Sequence, residues 1–283
     1  MANKTQLDFT PIFVGGSMRT GTSLLQHVLS SSSEANDMAF ECHYLTDQLT
    51  IYQKWSQKGE RMAADFFGSQ QGLKEYTISL VLNFLKSTHH HQHKPRFLVL
   101  KQPELTPYFP FLAKVLPQAK FITSIRDPKD AVTSMLKVAE KQVRLGRSSN
   151  MVVLGRDMAA LTKLFLSYYG TLHKMPKTDP SQHAFLKYED LVLKRDILLP
   201  KLEAFTGLDL SSYDPEADWQ YTRPREENKA FDTKIRGKGI SDQSIGNYKE
   251  ELNSKEIVII ERTAADFMKY FKYPMNDQSN ASD

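Results

Sequence analysis

Three features of the sequence predict an α/β fold with a central, mostly parallel sheet flanked by helices. Short apolar runs of strand length alternate with longer amphipathic segments, the pattern of right-handed β–α crossovers. One apolar run, Ile12-Phe13-Val14, turns through glycines into an amphipathic segment, as a strand does on entering a helix. The conspicuous polar residues, in the 15–22 loop and at Lys101, Arg126 and Glu189, stand just after predicted strands. Ligands of open α/β sheets sit beyond the carboxyl ends of the strands, so groups distant in sequence would meet at one edge.

Taken in order, the first strand leads to a helix over 22–31, which ends in a serine run. The short piece Met38-Ala39-Phe40-Glu41-Cys42 carries a carboxylate near its end. Helical periodicity over 44–57 and 60–87 puts Leu45, Leu49, Tyr52 and Trp55 on one face. The run His89-His90-His91-Gln92-His93 reads as a solvated loop, because consecutive histidines cannot all face one ion. Phe97-Leu98-Val99-Leu100 is a strand, and 107–116 a short helix before Pro117. The strand 121–125 runs into Arg126-Asp127-Pro128, where aspartate before a proline at the first helical position starts a helix. That helix carries Ala131, Ser134, Leu136 and Val138. A long helix over 151–173, a strand over 184–188 closed by Glu189-Asp190, and a helix over 194–206 ending at Gly207 follow. Periodicity then dissolves over 211–249, a length that marks a functional or disordered loop. A closing helix over 253–270 precedes a loose tail, 275–283. No repeat or linker interrupts the chain, so residues 1–283 read as one domain.

Composition narrows the function classes. The 283 residues are 40% hydrophobic with net charge +4, a mildly basic balance that favours anionic ligands. No basic arm interleaved with aromatics is present, which argues against nucleic acid as partner. The single cysteine, Cys42, excludes an intrachain disulfide and fits a reducing compartment. The polar first ten residues lack the apolar core of a signal peptide. No apolar run reaches the ~18 residues of a membrane span. The expectation is a cytoplasmic protein.

The glycine loop points to phosphate. A strand–loop–helix turn aims backbone N–H groups and the positive end of a helix dipole at one spot. Set on the G-x-x-x-x-G-K-[ST] pattern, Gly16 and Gly21 match, Thr22 replaces the lysine, and Ser23 supplies the hydroxyl. The loop's cation, Arg19, stands inside it instead, an arrangement poorly suited to Mg²⁺–ATP chemistry.

The loop Gly15-Gly16-Ser17-Met18-Arg19-Thr20-Gly21-Thr22-Ser23-Leu24-Leu25, followed by a strand ending Arg126-Asp127-Pro128 with Ser134 eight residues beyond the arginine, resembles a sulfotransferase. Such enzymes use 3′-phosphoadenosine 5′-phosphosulfate (PAPS) and release adenosine 3′,5′-bisphosphate. The segments 12–25, 99–103, 120–135 and 187–192 fit in the expected order, and the arginine-type loop is closer to the carbohydrate and tyrosylprotein branch than to the steroid and phenol branch. The resemblance implies the three-layer architecture of P-loop-containing sulfotransferases. It implies that Gly16, Ser17, Met18, Arg19, Thr20, Gly21, Thr22 and Ser23 bind the 5′-phosphosulfate, that Arg126 and Ser134 bind the 3′-phosphate, and that Lys101 approaches the sulfuryl group. Tyr188, in Tyr188-Glu189-Asp190-Leu191, supports the nucleotide site, while Lys238 and Arg236 match a basic loop that closes over it. The histidine base of the cytosolic branch is absent, since Pro103 stands at its position, and Glu41 is the nearest match to the tyrosylprotein branch's glutamate base, with Glu104 and His43 in reserve. No metal is expected. The acceptor would carry a hydroxyl or amine: a sugar, tyrosyl peptide, lipid or small metabolite. Two alternatives stay open: a P-loop ATP-dependent kinase or NTPase, and a non-catalytic nucleotide-binding protein on the same fold.

Overall fold

The computed structural model of the chain describes residues 7–170, 180–217 and 240–276. Strand β1 (Thr10–Gly16) is the inner strand on which the rest is laid, buried from Pro11 to its end. It pairs on one side with β2 (Phe97–Lys101) and on the other with β3 (Lys120–Ile125), which pairs with β4 (His183–Lys187). All pairings are parallel, and the order among the described residues is β2-β1-β3-β4. In this register Ile12 lies beside Val99 and Lys120, and Gly16 beside Ser124.

Strand alternation sorts the apolar residues into two faces. Ile12, Val14, Val99, Ile122 and Leu186 pack against α1 (Thr22–Ser30) and α10 (Arg195–Thr206). Phe13, Leu98, Leu100 and Phe121 face the other way, under α2 (His43–Ser56), α4 (Gln70–His91) and α5 (Phe109–Val115). Beside them a second cluster joins Ile125 to α6 (Pro128–Arg144), α8 (Met158–Ser167), α12 (Ser254–Thr263) and α13 (Ala265–Tyr270). Helices thus cover both faces, giving the expected three layers.

The free edge of β2 is closed by the chain that leaves α1. The Asn36 amide oxygen accepts from Val99 N (2.6 Å), its NH₂ donates to Val99 O (3.1 Å), and Phe97 N donates to Glu34 O (3.1 Å). An unpaired strand edge is a liability, and this strap covers it. It also steers residues 38–42 alongside the end of β2.

Several elements differ from the sequence expectation, each for a local reason. The predicted 60–87 helix breaks into α3 (Glu60–Phe67) and α4, because Gly68 terminates the first at φ 77° and the Ser69 hydroxyl caps the second through Gly72 N. Helix α4 runs on through His89, His90 and His91, so the histidines form a helix end rather than a loop, with His89 stacked on Phe9 at 3.8 Å. Gly155 and the capping side chain of Asp157 split 151–173 into α7 (Asn150–Leu154) and α8. Tyr188 opens a short helix, α9 (Tyr188–Leu193), where a simple strand end is predicted. Ala264 interrupts the closing helix. Within 211–249, residues 218–239 lie outside the described residues, and Arg236 and Lys238 with them; Tyr248 begins α11 (Tyr248–Glu251). No helix among the described residues is long and apolar enough to cross a membrane.

Candidate active site

The loop after β1 is shaped by two glycines. Gly16 has φ 125°, and a Cβ there would land 2.3 Å from the Ser124 carbonyl oxygen. Gly21, at φ 84°, leaves no room for a Cβ, which would meet Tyr188 Cδ2 at 2.3 Å. Between them Arg19 holds a left-handed φ of 68°, uncommon for a residue with a side chain. Internal bonds fix the loop: Thr20 Oγ1 donates to Ser17 O (2.7 Å), and the Ser124 hydroxyl donates to Thr20 O. Gly16 N donates to Thr106 Oγ1 (2.7 Å), so an anion must be met by residues further along. Thr22 and Ser23 form the first turn of α1, whose N-terminus carries no side-chain cap and no acidic residue. Uncapped helix N–H groups suit an anion. Met18 turns away and packs against the α6–α8 cluster.

Two arginines meet at this loop. Arg19 Nε donates to Ser134 Oγ (3.0 Å) on α6. Arg126, the first residue after β3, donates through Nη1 to Arg19 O (3.0 Å) and through Nη2 to Ser244 O. Its guanidinium lies 4.5 Å from the centre of the Tyr188 ring, in cation–π contact. The Tyr188 hydroxyl is 2.6 Å from Ser244 Oγ. Asp127 caps α6 through Lys129 N (2.9 Å), and its own N–H donates to Glu189 Oε1 (2.9 Å). Burial pushes the Asp127 carboxyl up to about 6.

The other wall is built on the end of β2. Lys101, 1% exposed, forms an ion pair with Glu41, 19% exposed. Cys42 N bonds to Lys101 O (3.3 Å), which fixes the approach of the Glu41 segment. Burial pushes the Cys42 thiol up to about 12, so it is not a nucleophile. Next along, Gln102 Nε2 contacts His43 Nδ1 at 2.8 Å. An amide nitrogen only donates, so this assignment makes Nδ1 the acceptor and puts the ring proton on Nε2. Glu104, exposed, accepts from the Tyr168 hydroxyl at 3.5 Å.

A model described as the sulfotransferase family matches residues 11–212. The chain belongs to the sulfotransferase family. It is 30% identical over 130 residues to protein-tyrosine sulfotransferase 1 of Danio rerio, a match covering 46% of this chain and 36% of that protein. Against protein-tyrosine sulfotransferase 2 of Gallus gallus the identity is 29% over 127 residues, 44% of this chain and 33% of that one. The match therefore spans roughly a third of these curated relatives' length. Among solved structures, the sulfotransferase domain of the Synechococcus PCC 7002 olefin synthase aligns with TM-score 0.56 and 17% identity, covering 93% of this chain and 96% of that one. A mouse sulfotransferase complexed with PAP aligns with TM-score 0.51 and 15% identity, covering 93% and 85%. These likenesses establish a shared fold.

In this member of the family the 16–23 loop, Lys101, Arg126 and Tyr188 stand at the carboxyl ends of β1, β2, β3 and β4, while Arg236 and Lys238 lie outside the described residues. Arg19 and Ser134, which the resemblance assigns to different anions, are joined directly. The sequence reading misses Thr106, Asp130 and Ser244. Asp130 was open to detection: it lies four residues from both Arg126 and Ser134, so Asp130 and Ser134 share one face of α6. Ser244 sits in the aperiodic stretch, where no local pattern distinguishes it. Among the described residues no cluster of three His, Cys, Asp or Glu side chains is arranged to hold a metal ion.

Proposed function

We propose that the chain transfers a sulfuryl group from PAPS to an acceptor hydroxyl. The observation that carries this reading is the meeting of Arg19, Ser134 and Arg126 at the loop that leads into the uncapped N-terminus of α1, with the Lys101–Glu41 pair at the end of the adjacent strand β2. The residues fit an anionic nucleotide. Ser17 Oγ and Arg126 Nε are buried without a hydrogen-bond partner among the described residues, and each is a donor that an oxygen of a bound phosphate would satisfy. The turn from Ser17 to Ser23 would hold the 5′-phosphosulfate, and Arg126 with Ser134 the 3′-phosphate; Arg19, bonded to Ser134, would touch both ends.

When bound, PAPS supplies the sulfuryl group and a phosphate leaving group. The chain supplies position and charge. With the nucleotide bound, Arg19, Lys101 and the first N–H groups of α1 would stabilise negative charge on the leaving oxygen. Glu41, paired with Lys101, would accept the acceptor's proton. Lys101 orients that carboxylate. Two of the relatives above are named protein-tyrosine sulfotransferases, which makes a phenolic hydroxyl the first acceptor to try.

The test is a calorimetric titration with adenosine 3′,5′-bisphosphate and, separately, with Mg²⁺–ATP. Tighter binding of the bisphosphate is expected, and a preference for Mg²⁺–ATP overturns the reading. Bisphosphate binding with no sulfuryl transfer to phenol, sugar or alkyl-alcohol acceptors would instead make the chain a nucleotide-binding protein without catalysis.

A further inference from the structure

The turn at 244–248 is tied to the helix that follows β3 from several directions at once. Asp130, 3% exposed, receives Gly246 N on Oδ2 (2.8 Å) and Tyr248 N on Oδ1 (3.2 Å). A carboxylate that accepts two backbone N–H groups from one turn fixes both its position and its rotation. Gly246, the first of those anchors, adopts φ 81°, a conformation that suits glycine. The Tyr248 ring lies beneath the Lys129 ammonium, 5.0 Å away. Upstream, Ile240 N bonds to Pro215 O (2.8 Å) and its side chain packs against the α1–α10 cluster. The segment is therefore held at both ends.

Ser244 is the part of this turn that touches Arg126. Its carbonyl accepts from Nη2, and its hydroxyl meets the Tyr188 hydroxyl, whose ring stacks on the same guanidinium. With Arg19 O on Nη1, Arg126 is held on three sides at 5% exposure. Its Nε is buried without a partner among the described residues. Such a donor is costly to leave unpaired, so the arrangement favours an acceptor brought by a ligand.

We infer that Asp130 and Ser244 are positioning residues that set how strongly the site prefers a nucleotide bearing a 3′-phosphate. The inference rests on the assignment of Arg126 and Ser134 to that phosphate. Asp130 fixes the turn, the turn places Ser244, and Ser244 with Tyr188 fixes the plane of the Arg126 guanidinium. Loosening any member frees Arg126 and weakens its hold on the 3′-phosphate more than it disturbs the 5′ end, which Arg126 reaches only through Arg19 O while the α1 N-terminus stays in place. Scaffolding alone would weaken both ends of the nucleotide equally.

The experiment compares the dissociation constants of adenosine 3′,5′-bisphosphate and adenosine 5′-monophosphate, whose ratio reads the 3′-phosphate alone. It uses the full chain and two variants. Asp130→Asn swaps one acceptor oxygen for an NH₂ facing a backbone N–H, and the ratio is expected to fall roughly tenfold or more. Tyr188→Phe removes only the hydroxyl that meets Ser244 and keeps the ring, with a fall of about two- to tenfold expected. If Asp130→Asn does not fold, Tyr188→Phe decides. An unchanged ratio, or equal weakening of both ligands, overturns the inference and leaves the sulfuryl-transfer reading standing. A wild-type chain that does not prefer the bisphosphate overturns both.

Discussion

Arg19 and Ser134, 115 residues apart in sequence, share a hydrogen bond of 3.0 Å from guanidinium Nε to hydroxyl Oγ. Arg19 leaves the loop in a left-handed conformation, and Ser134 lies on α6. The bond joins the loop that would hold the 5′ end of the nucleotide to the helix that would hold the 3′ end.

The two residues should therefore act as a unit. Arg19→Lys removes the guanidinium Nε that reaches Ser134, and Ser134→Ala removes its partner. Each change is expected to weaken adenosine 3′,5′-bisphosphate binding about tenfold or more, the scale of a charge-assisted hydrogen bond. The double variant should lose much less than the product of the two single losses. Simple multiplication of the losses in a titration cycle would show that they act independently.

In the proposed mechanism Glu41 is the carboxylate that takes the acceptor's proton, and Lys101 is its ion-pair partner. Glu41→Gln preserves shape but cannot take a proton. Turnover should fall roughly 10²–10⁴-fold, the usual worth of a general base. Bisphosphate affinity should change little, which separates a catalytic loss from a collapsed site. Single-turnover assays beside calorimetry make the comparison, and wild-type turnover in this variant would assign the proton to another group.

His183 on β4 gives a pH dependence of stability. Burial pushes the imidazole down to about 4, while Thr123 Oγ1 sits 2.8 Å from its Nε2. An unfolded histidine protonates near 6.5. As pH falls from about 6.5 to 4 the unfolded chain binds the proton first, so stability is lost on the acid side and retained above. The full loss is roughly 3 kcal/mol. His27, also pushed down to about 4 by burial, adds a similar slope, and Asp127, raised to about 6, opposes it over part of the range. Urea denaturation of wild type and His183→Gln across pH 4 to 7 isolates the His183 share. Parallel stability curves for the two would refute it.

Much of the fold is legible from local pattern. Phe97 to Leu100 is a buried strand because four apolar residues are followed by Lys101-Gln102-Pro103, and β3 ends where Arg126-Asp127-Pro128 begins a capped helix. The helix breaks at Gly68 and Gly155 are harder to see, because apolar spacing resumes on the far side with nearly the same phase. At the site, the loop and the strand-end cations Lys101 and Arg126 are visible because each occupies the first place after an apolar run. Asp130 is less visible because an acidic residue in a first helical turn looks like ordinary dipole compensation.

By itself the sequence determined the parallel α/β layering, the glycine loop and the strand ends at which the polar residues stand. These follow from short continuous apolar runs buried on both faces of the sheet, from glycine at positive φ and from helix-start chemistry, all of which act over a few neighbouring residues. Only the tertiary structure decided which of those groups meet. Lys101 reaches Glu41 because the 34–37 strap closes the β2 edge and brings residues 38–42 alongside. Arg19 finds Ser134, and Arg126 finds Ser244, because the pairing of β1 with β3 sets the loop beside the start of α6. Such contacts depend on strand order and register, which bring distant segments together without leaving a mark in the sequence of either one.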